Sequence, residues 1–418
     1  MSTFAPLRYV PFRFLLAGRT INSLSNAIAP VALAFAVLDL TGSPSDLGLV
    51  VGVRVLVNVL FLLFGGALAD RMPKHRLMVW SSIAAGVTQG AVAALVLSGT
   101  ATVPLLIGLS AVNGMVSALA LPASSSILPQ LVPADIRQQA NALSRLSFNG
   151  AYIVGAPIGG VIVAGVGPGW GIAVDAVAFL LSAGCFALMR LPIGLPDAVA
   201  RTSIVTDLRV GWGAFRSRTW LWVVVSGFAL INAALSGGMS VLGPVVADAT
   251  IGRRAWGFVL AAQTVGMVLG ALLAMRLTMS RLLLFGVVCT AFEVLPMLTL
   301  GIAPHLGLLL AAAFLAGLGI EQFAVAWETS MQEHVPADKL ARVYSYDMVG
   351  SFIAIPVGQV AAGPIAQLVG VETTLVGAAA LIGLAVVGML ASRDVRNLRH
   401  RVPTSPEPAG AAMEESTR

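Results

Sequence analysis

Cysteine is nearly absent: Cys185 and Cys289 are the two in 418 residues. Both lie inside apolar runs, so no disulfide framework organises the chain. The four histidines, His75, His305, His334 and His400, are scattered, and none pairs at a metal-ligand spacing. Lysine occurs only as Lys74 and Lys339, preceded by Pro73 and Asp338. Neither closes a Gly-x-x-x-x-Gly-Lys-Ser/Thr loop, which excludes a self-contained ATP-driven machine. No cofactor motif and no nucleophile–base pair is found, so an enzyme is not expected. Charge is also scarce, at 11% of residues, against about 25% in soluble domains. The net charge of +6 is dispersed between apolar runs, so it reports topology and not nucleic-acid binding.

What is abundant is apolar length and glycine: 57% of residues are hydrophobic and 44 are glycine. Apolar runs of about 20 residues, the length a bilayer core demands of a helix, recur at 12–38, 46–69, 77–98, 103–124, 141–165, 171–191, 220–247, 255–276, 282–302, 306–328, 343–368 and 373–392. The fold class expected is therefore all-α, a polytopic membrane protein of twelve transmembrane helices. The first run is too long for a cleavable signal peptide and lacks a small-residue cleavage site. With the N-terminus inside, the loop cations fall on the cytoplasmic side except Arg253 and Arg254, which places both termini in the cytoplasm. Trp170, Trp220, Trp222 and Trp256 lie near span ends and read as interfacial anchors.

The stretch 192–219 breaks the apolar pattern with prolines, aspartates and arginines, and reads as a cytoplasmic linker with a short surface helix over 206–218. It separates an N-terminal bundle, 1–191, from a C-terminal bundle, 220–392. The tail, 393–418, is basic and then Pro/Glu-rich, a composition expected to be disordered. The two halves echo each other. Val132-Pro133-Ala134-Asp135 recurs as Val335-Pro336-Ala337-Asp338, and Pro157-Ile158-Gly159 as Pro356-Val357-Gly358. Such a period across half a chain points to duplicated bundles. The pairs Gly48/Gly52, Gly155/Gly159 and Gly266/Gly270 are spaced for close helix packing.

Between the second and third runs stands Gly66-Ala67-Leu68-Ala69-Asp70-Arg71, followed by Lys74 and Arg76. On this motif, and over nearly its whole length, the chain resembles a major facilitator superfamily transporter. More narrowly it resembles the drug-efflux branch that holds macrolide exporters and the enterobactin exporter. The residues that carry this are Leu131-Val132-Pro133 with Ala140-Asn141-Ala142-Leu143, Asp175-Ala176-Val177-Ala178-Phe179, and Gln332-Glu333-His334-Val335-Pro336 with Arg342-Val343-Tyr344-Ser345. Efflux members often carry Gly-Pro-x-x-Gly-Gly in helix 5. Here Gly155, Pro157, Gly159 and Gly160 form that signature with the proline one place later.

The resemblance implies a gate in which Asp70 meets the start of helix 11 near Arg342, with Gly66, Arg71 and Arg76 completing the motif. The plainer reading of the motif is an anchor of positive charge. It also implies that helices 1, 4, 7 and 10 line a central cavity, placing Asn22, Asn26, Asn113, Asn232 and Glu321 there. Read from the residues themselves, Arg54 and Asn58 share a face one turn apart, as do Asn149 and Tyr152, and Gln322 sits beside Glu321. An acid at a helix centre costs roughly 2.5–3.5 kcal/mol and is functional by default. Glu321 is the leading proton carrier, with Asp347 and Glu293 as competitors. Paired with Arg54 or Arg19, Glu321 would be structural. Asp175 reads as a structural carboxyl hydrogen-bonded between helices.

The expected function is proton-coupled efflux of amphiphilic small molecules. A siderophore or metabolite exporter, an uptake permease and a non-transporting receptor are the alternatives. The expected partners are a small-molecule substrate, protons and the lipid bilayer of the cell membrane, with the protein a monomer and no cofactor or metal required.

Overall fold

The structure is a computed structural model that describes residues 4–69, 73–128, 131–133, 136–189, 212–213, 215–277 and 279–400. Among these residues the regular structure is helical. The first bundle comprises α1 (Val10–Thr41), α2 (Pro44–Ala69), α3 (Lys74–Leu97), α4 (Val103–Ile127), α5 (Arg137–Val166) and α6 (Pro168–Ala187). The second comprises α7 (Thr219–Ala249), α8 (Arg253–Ala274), α9 (Leu282–Ile302), α10 (Leu306–His334), α11 (Ala337–Phe352 continued by Ala354–Val369) and α12 (Val371–Ala391). Each expected span coincides with a helix. The departures are at helix ends: α5 begins at Arg137, α10 runs to His334 and α11 begins at Ala337. Apolar length measures the membrane crossing, whereas the helix itself continues into polar turns beyond it.

Two helices are distorted for identifiable reasons. α7 contains a π turn at Ser236–Leu242, where Gly237 faces the Gly358 carbonyl of α11 and Gly238 faces Met297. α9 tightens to a 3-10 turn at Thr290–Glu293, just before Pro296, which has no N–H to bond the preceding turn. The α5–α6 and α11–α12 turns close on Gly167 (φ +97°) and Gly370 (φ +90°), at equivalent places in the two halves.

The bundles repeat one packing scheme. α1 packs on α5 and α6, α2 on α4, and α3 on α4 and α6; likewise α7 packs on α11 and α12, α8 on α10, and α9 on α10 and α12. Between bundles, α5 lies along α8 and α2 along α11. These seams lie toward the end of the molecule holding the α1–α2 and α7–α8 turns, here the distal end; the proximal end holds the chain start and the end of α12. A large apolar cluster crosses the distal seam, joining Phe35, Leu47 and Val163 to Val241, Leu242 and Trp256. A separate cluster of Phe12, Leu15, Met78, Ile127, Leu143 and Phe186 fills the proximal half of the first bundle. Leu368, Leu384 and Val387 are among many large apolar side chains left exposed on the outside, as a lipid-facing surface requires.

Two expectations change. Trp170 and Trp222 are exposed, but Trp220 is 5% and Trp256 1% exposed. Trp256 packs over Gly243, which leaves room for its ring, and Trp220 packs edge-on against Trp327. Both are core residues, not anchors. The tail begins with α13 (Arg393–Asn397), whose Val395 is buried, and the His400 N–H donates to the Ser280 carbonyl at 3.0 Å. Val395 seated at the bundle end and the His400 contacts to Ser280 and Glu333 tie this segment down. The linker over 190–211 and the tail from 401 lie outside the described residues.

Candidate functional site

At the distal seam Arg253 opens α8 and reaches across to α1. Its Nη1 donates to Asp39 Oδ2 at 2.9 Å, and its Nη2 contacts the other Asp39 oxygen. Its Nε donates to Asp248 of α7 at 2.7 Å, and the guanidinium lies 4.9 Å from the Phe35 ring centroid. A cation at a helix N-terminus opposes the helix dipole; two carboxylates and an aromatic face offset this. The backbones are close here: a Cβ at Gly160 would lie 3.0 Å from the Arg253 carbonyl, and Gly257 meets the Ala156 carbonyl. In sequence Arg253 stands out as an outlying cation, with nothing beside it to mark its partners. Asp39 and Asp248, acids at the same end, were the available signal.

The helix 5 signature serves this seam from the other side. Gly155 and Gly159 face Leu24, Ala27 and Ile28 of α1, Gly160 faces α8, and Pro157 lies at the α8 contact. Gly48 and Gly52 admit Gln359 and Val360 of α11, and Gly266 and Gly270 admit Phe314 and Leu318 of α10. All three glycine pairs sit at close helix contacts.

Toward the proximal end each bundle carries cavities. In the first bundle a cavity of about 330 Å³ is lined by Asn22, Asn26, Arg54, Ser117 and Tyr152, among others. A neighbouring cavity of about 440 Å³ holds Arg19, Asn141 and Arg145. Asn26 Nδ2 donates to Asn22 Oδ1 at 2.8 Å. Arg54 is in electrostatic reach of Asp175 and Tyr152. Asp175 is fully buried and accepts hydrogen bonds from Ser25 of α1 and Gln89 of α3. It thereby ties three helices together.

In the second bundle a cavity of about 330 Å³ is lined by α7, α10 and α11, with Asn232, Phe228, Phe323, Trp327, Glu328 and Asp347 among its residues. Asp347 Oδ2 accepts the Trp327 indole N–H at 3.0 Å, and Oδ1 accepts the Ser351 hydroxyl at 3.1 Å. Glu328 accepts Tyr344 at 2.5 Å and Gln332 at 2.7 Å. Asn232 Nδ2 donates to the Ser351 carbonyl at 2.9 Å.

The other described candidates are not among the residues lining these three cavities. Asn58 donates to the Gly114 carbonyl at 3.1 Å, joining α2 to α4. Asn113 is 2% exposed and donates to Thr88 of α3 at 3.3 Å. Gln322 is buried and donates to the Gly270 carbonyl at 2.6 Å. Asn149 is half-buried on α5, one turn from Arg145. Glu321 is half-buried on α10, its carboxylate interacting electrostatically with Arg145 of the other bundle. Glu293 is 1% exposed, and among the described residues its Oε2 has no hydrogen-bond partner. Of the gate set, Arg76 is exposed at the start of α3, while Asp70, Arg71 and the side chains of Gly66 and Arg342 lie outside the described residues.

Comparison with known proteins gives a consistent outcome. The Multidrug efflux pump Tap of Mycolicibacterium fortuitum is 27% identical over 388 residues, 88% of this chain and 91% of the relative. The Enterobactin exporter EntS of Escherichia coli (strain K12) is 24% identical over 406 residues, 95% and 94% of the two chains. The crystal structure of a bacterial homologue of the human lysosomal transporter Spinster, inward-facing and unoccupied, superposes with a TM-score of 0.73 at 16% identity, covering 94% of this chain and 99% of that one. The family model described as Major Facilitator Superfamily matches residues 15–346. With twelve long helices in two like-packed bundles among the described residues, the chain belongs to the Major Facilitator Superfamily and is a multi-pass membrane transporter.

Proposed function

We propose that this transporter is a proton-coupled exporter of amphiphilic small molecules, working as a monomer by alternating access with both termini in the cytoplasm. The observation that carries the reading is the asymmetry of the seam. The bundles are latched by Arg253 and Asp39 and share a core at the distal end, while the charged cavities lie toward the proximal end. With loop cations on the cytoplasmic side, those cavities face the cytoplasm, where an exporter takes up its cargo. Rocking of the bundles would then break the latch and expose the cavities outward. The bundles, 1–191 and 220–392, act as the moving bodies about the 192–219 linker.

Glu321 is the proposed proton carrier. Its charged form is favoured by the field of Arg145 on the other bundle, so protonation would weaken one attraction between the bundles. In everted vesicles Glu321→Gln is expected to abolish efflux driven by a pH gradient while leaving cargo binding intact; unchanged pH-dependent transport would remove Glu321 from the mechanism. Asp70→Asn tests the gate, with lower turnover and near-normal folding expected.

The arginines Arg19 and Arg145 around the first-bundle cavity of about 440 Å³ support a second reading, export of an anionic metabolite such as a siderophore. An accumulation screen of drugs and siderophores, in cells with and without the gene and repeated with a protonophore, separates the two.

A further inference from the structure

Taking the chain as an exporter, we infer that the cavity between α7, α10 and α11 is a subsite for the cationic head of a lipophilic cargo. Glu328 and Asp347 supply the counter-charge, and Trp327, Phe323 and Phe228 form the wall on which the cation's apolar substituents rest.

The wall is built as a shelf. Phe228 and Phe323 stack with centroids 4.0 Å apart and planes 17° apart, and Phe323 continues to Trp327 at 6.0 Å and 16°. Trp220 closes the far edge at 5.5 Å from Trp327. The hydrogen bond from the Trp327 indole to Asp347 fixes the ring plane and brings a carboxylate to the rim of the shelf. Tryptophan is the best aromatic partner for a cation lying within about 6 Å of its ring.

The carboxylates have no cation of their own. Among the described residues the partners of Asp347 are Trp327 and Ser351, and those of Glu328 are Tyr344 and Gln332, all neutral. Asp347 is half-buried and Glu328 exposed; two acids lining one cavity repel each other, and a positive charge between them relieves that repulsion. The first bundle cannot supply that role to a cationic cargo. Its cavities present Arg19, Arg54 and Arg145 among asparagines and serines. That wall carries apolar surface of its own in Val116, Phe148 and Phe179, but its arginines repel a cation. At about 330 Å³ the second-bundle cavity is within the range of small-ligand pockets, about 300–1,000 Å³.

The test is equilibrium binding to the purified full-length protein in nanodiscs, with empty nanodiscs subtracted. Tetraphenylphosphonium and tetraphenylborate are the probes, having one shape and opposite charge. The phosphonium is expected to bind at least about tenfold more tightly, and Glu328→Gln and Asp347→Asn are each expected to weaken it by about tenfold, the effect of one lost charge contact. Equal binding of the two ions in the unmodified protein would overturn the assignment without recourse to any variant. So would a phosphonium affinity unchanged in both variants. Tighter borate binding that is lost in Arg19→Gln and Arg145→Gln would place charge recognition in the first bundle and also overturn it. Binding does not depend on transport. Export that persists while the phosphonium subsite fails removes this inference alone; a phosphonium that binds but is never carried removes the exporter reading.

Discussion

The two bundles share a packing scheme and differ in what they hold inside it. The first buries Asp175 with Ser25 and Gln89 as donors and Arg54 in electrostatic reach, and lines its cavities with arginine, asparagine and serine. The second buries Glu293 with one carboxylate oxygen unpartnered among the described residues, and lines its cavity with stacked aromatics and two acids. The close backbone contacts, where glycine and small residues set the helix spacing, match between the bundles, while the interior chemistry differs. The first bundle's cavities carry arginines, and the second bundle's cavity carries two acids beside stacked aromatics.

Removing the buried acid from each bundle should separate these roles most sharply. Asp175→Ala leaves Ser25 and Gln89 without their acceptor and Arg54 without its nearest counter-charge. It is expected to destabilise the first bundle by about 1–3 kcal/mol for each buried donor left unsatisfied, seen as lower yield and a lower unfolding temperature in detergent. A stable Asp175→Ala protein would break the comparison. A smaller effect is expected at the seam. Arg253→Gln leaves Asp39 and Asp248 facing each other; an exposed ion pair is worth about 0–1 kcal/mol. The distal end should therefore open up to about fivefold more often. The labelling rate of an introduced Asn26→Cys by an impermeant maleimide added outside intact cells reads this directly; a fall in labelling would reverse the assigned latch. The smallest effect is expected for Glu293→Gln, which keeps the shape and removes a charge whose Oε2 lacks a partner. Its stability should change by less than that of Asp175→Ala, and a loss as large would reveal a tie to Glu293 like that of Asp175.

Much of the fold was legible because bilayer thickness imposes one length on every span, and apolar runs report that length whatever their neighbours. The repeat was legible through Val132-Pro133 and Val335-Pro336. Side-chain direction was harder to read. Asn58, Asn113 and Gln322 look like cavity residues in sequence, yet each donates to the helix packed beside it. A polar residue inside a span needs a partner in either setting, so its presence alone does not say which face it occupies. The latch and the aromatic shelf escaped for a related reason. Asp39 and Arg253 are 214 positions apart, and Phe228, Phe323 and Trp327 look like ordinary apolar residues of their spans until the helices are packed.

Reciprocal motion of the two ends, driven by protonation, is the account's central claim. Spin labels at Leu40 and Thr250 report the distal end, and labels at Leu146 and Met275 the proximal end, in protein freed of Cys185 and Cys289. Distances measured by double electron–electron resonance at acidic and alkaline pH should move in opposite senses at the two ends, with the pH response lost in Glu321→Gln. Distributions that stay fixed at both ends, or that lengthen together, would contradict it.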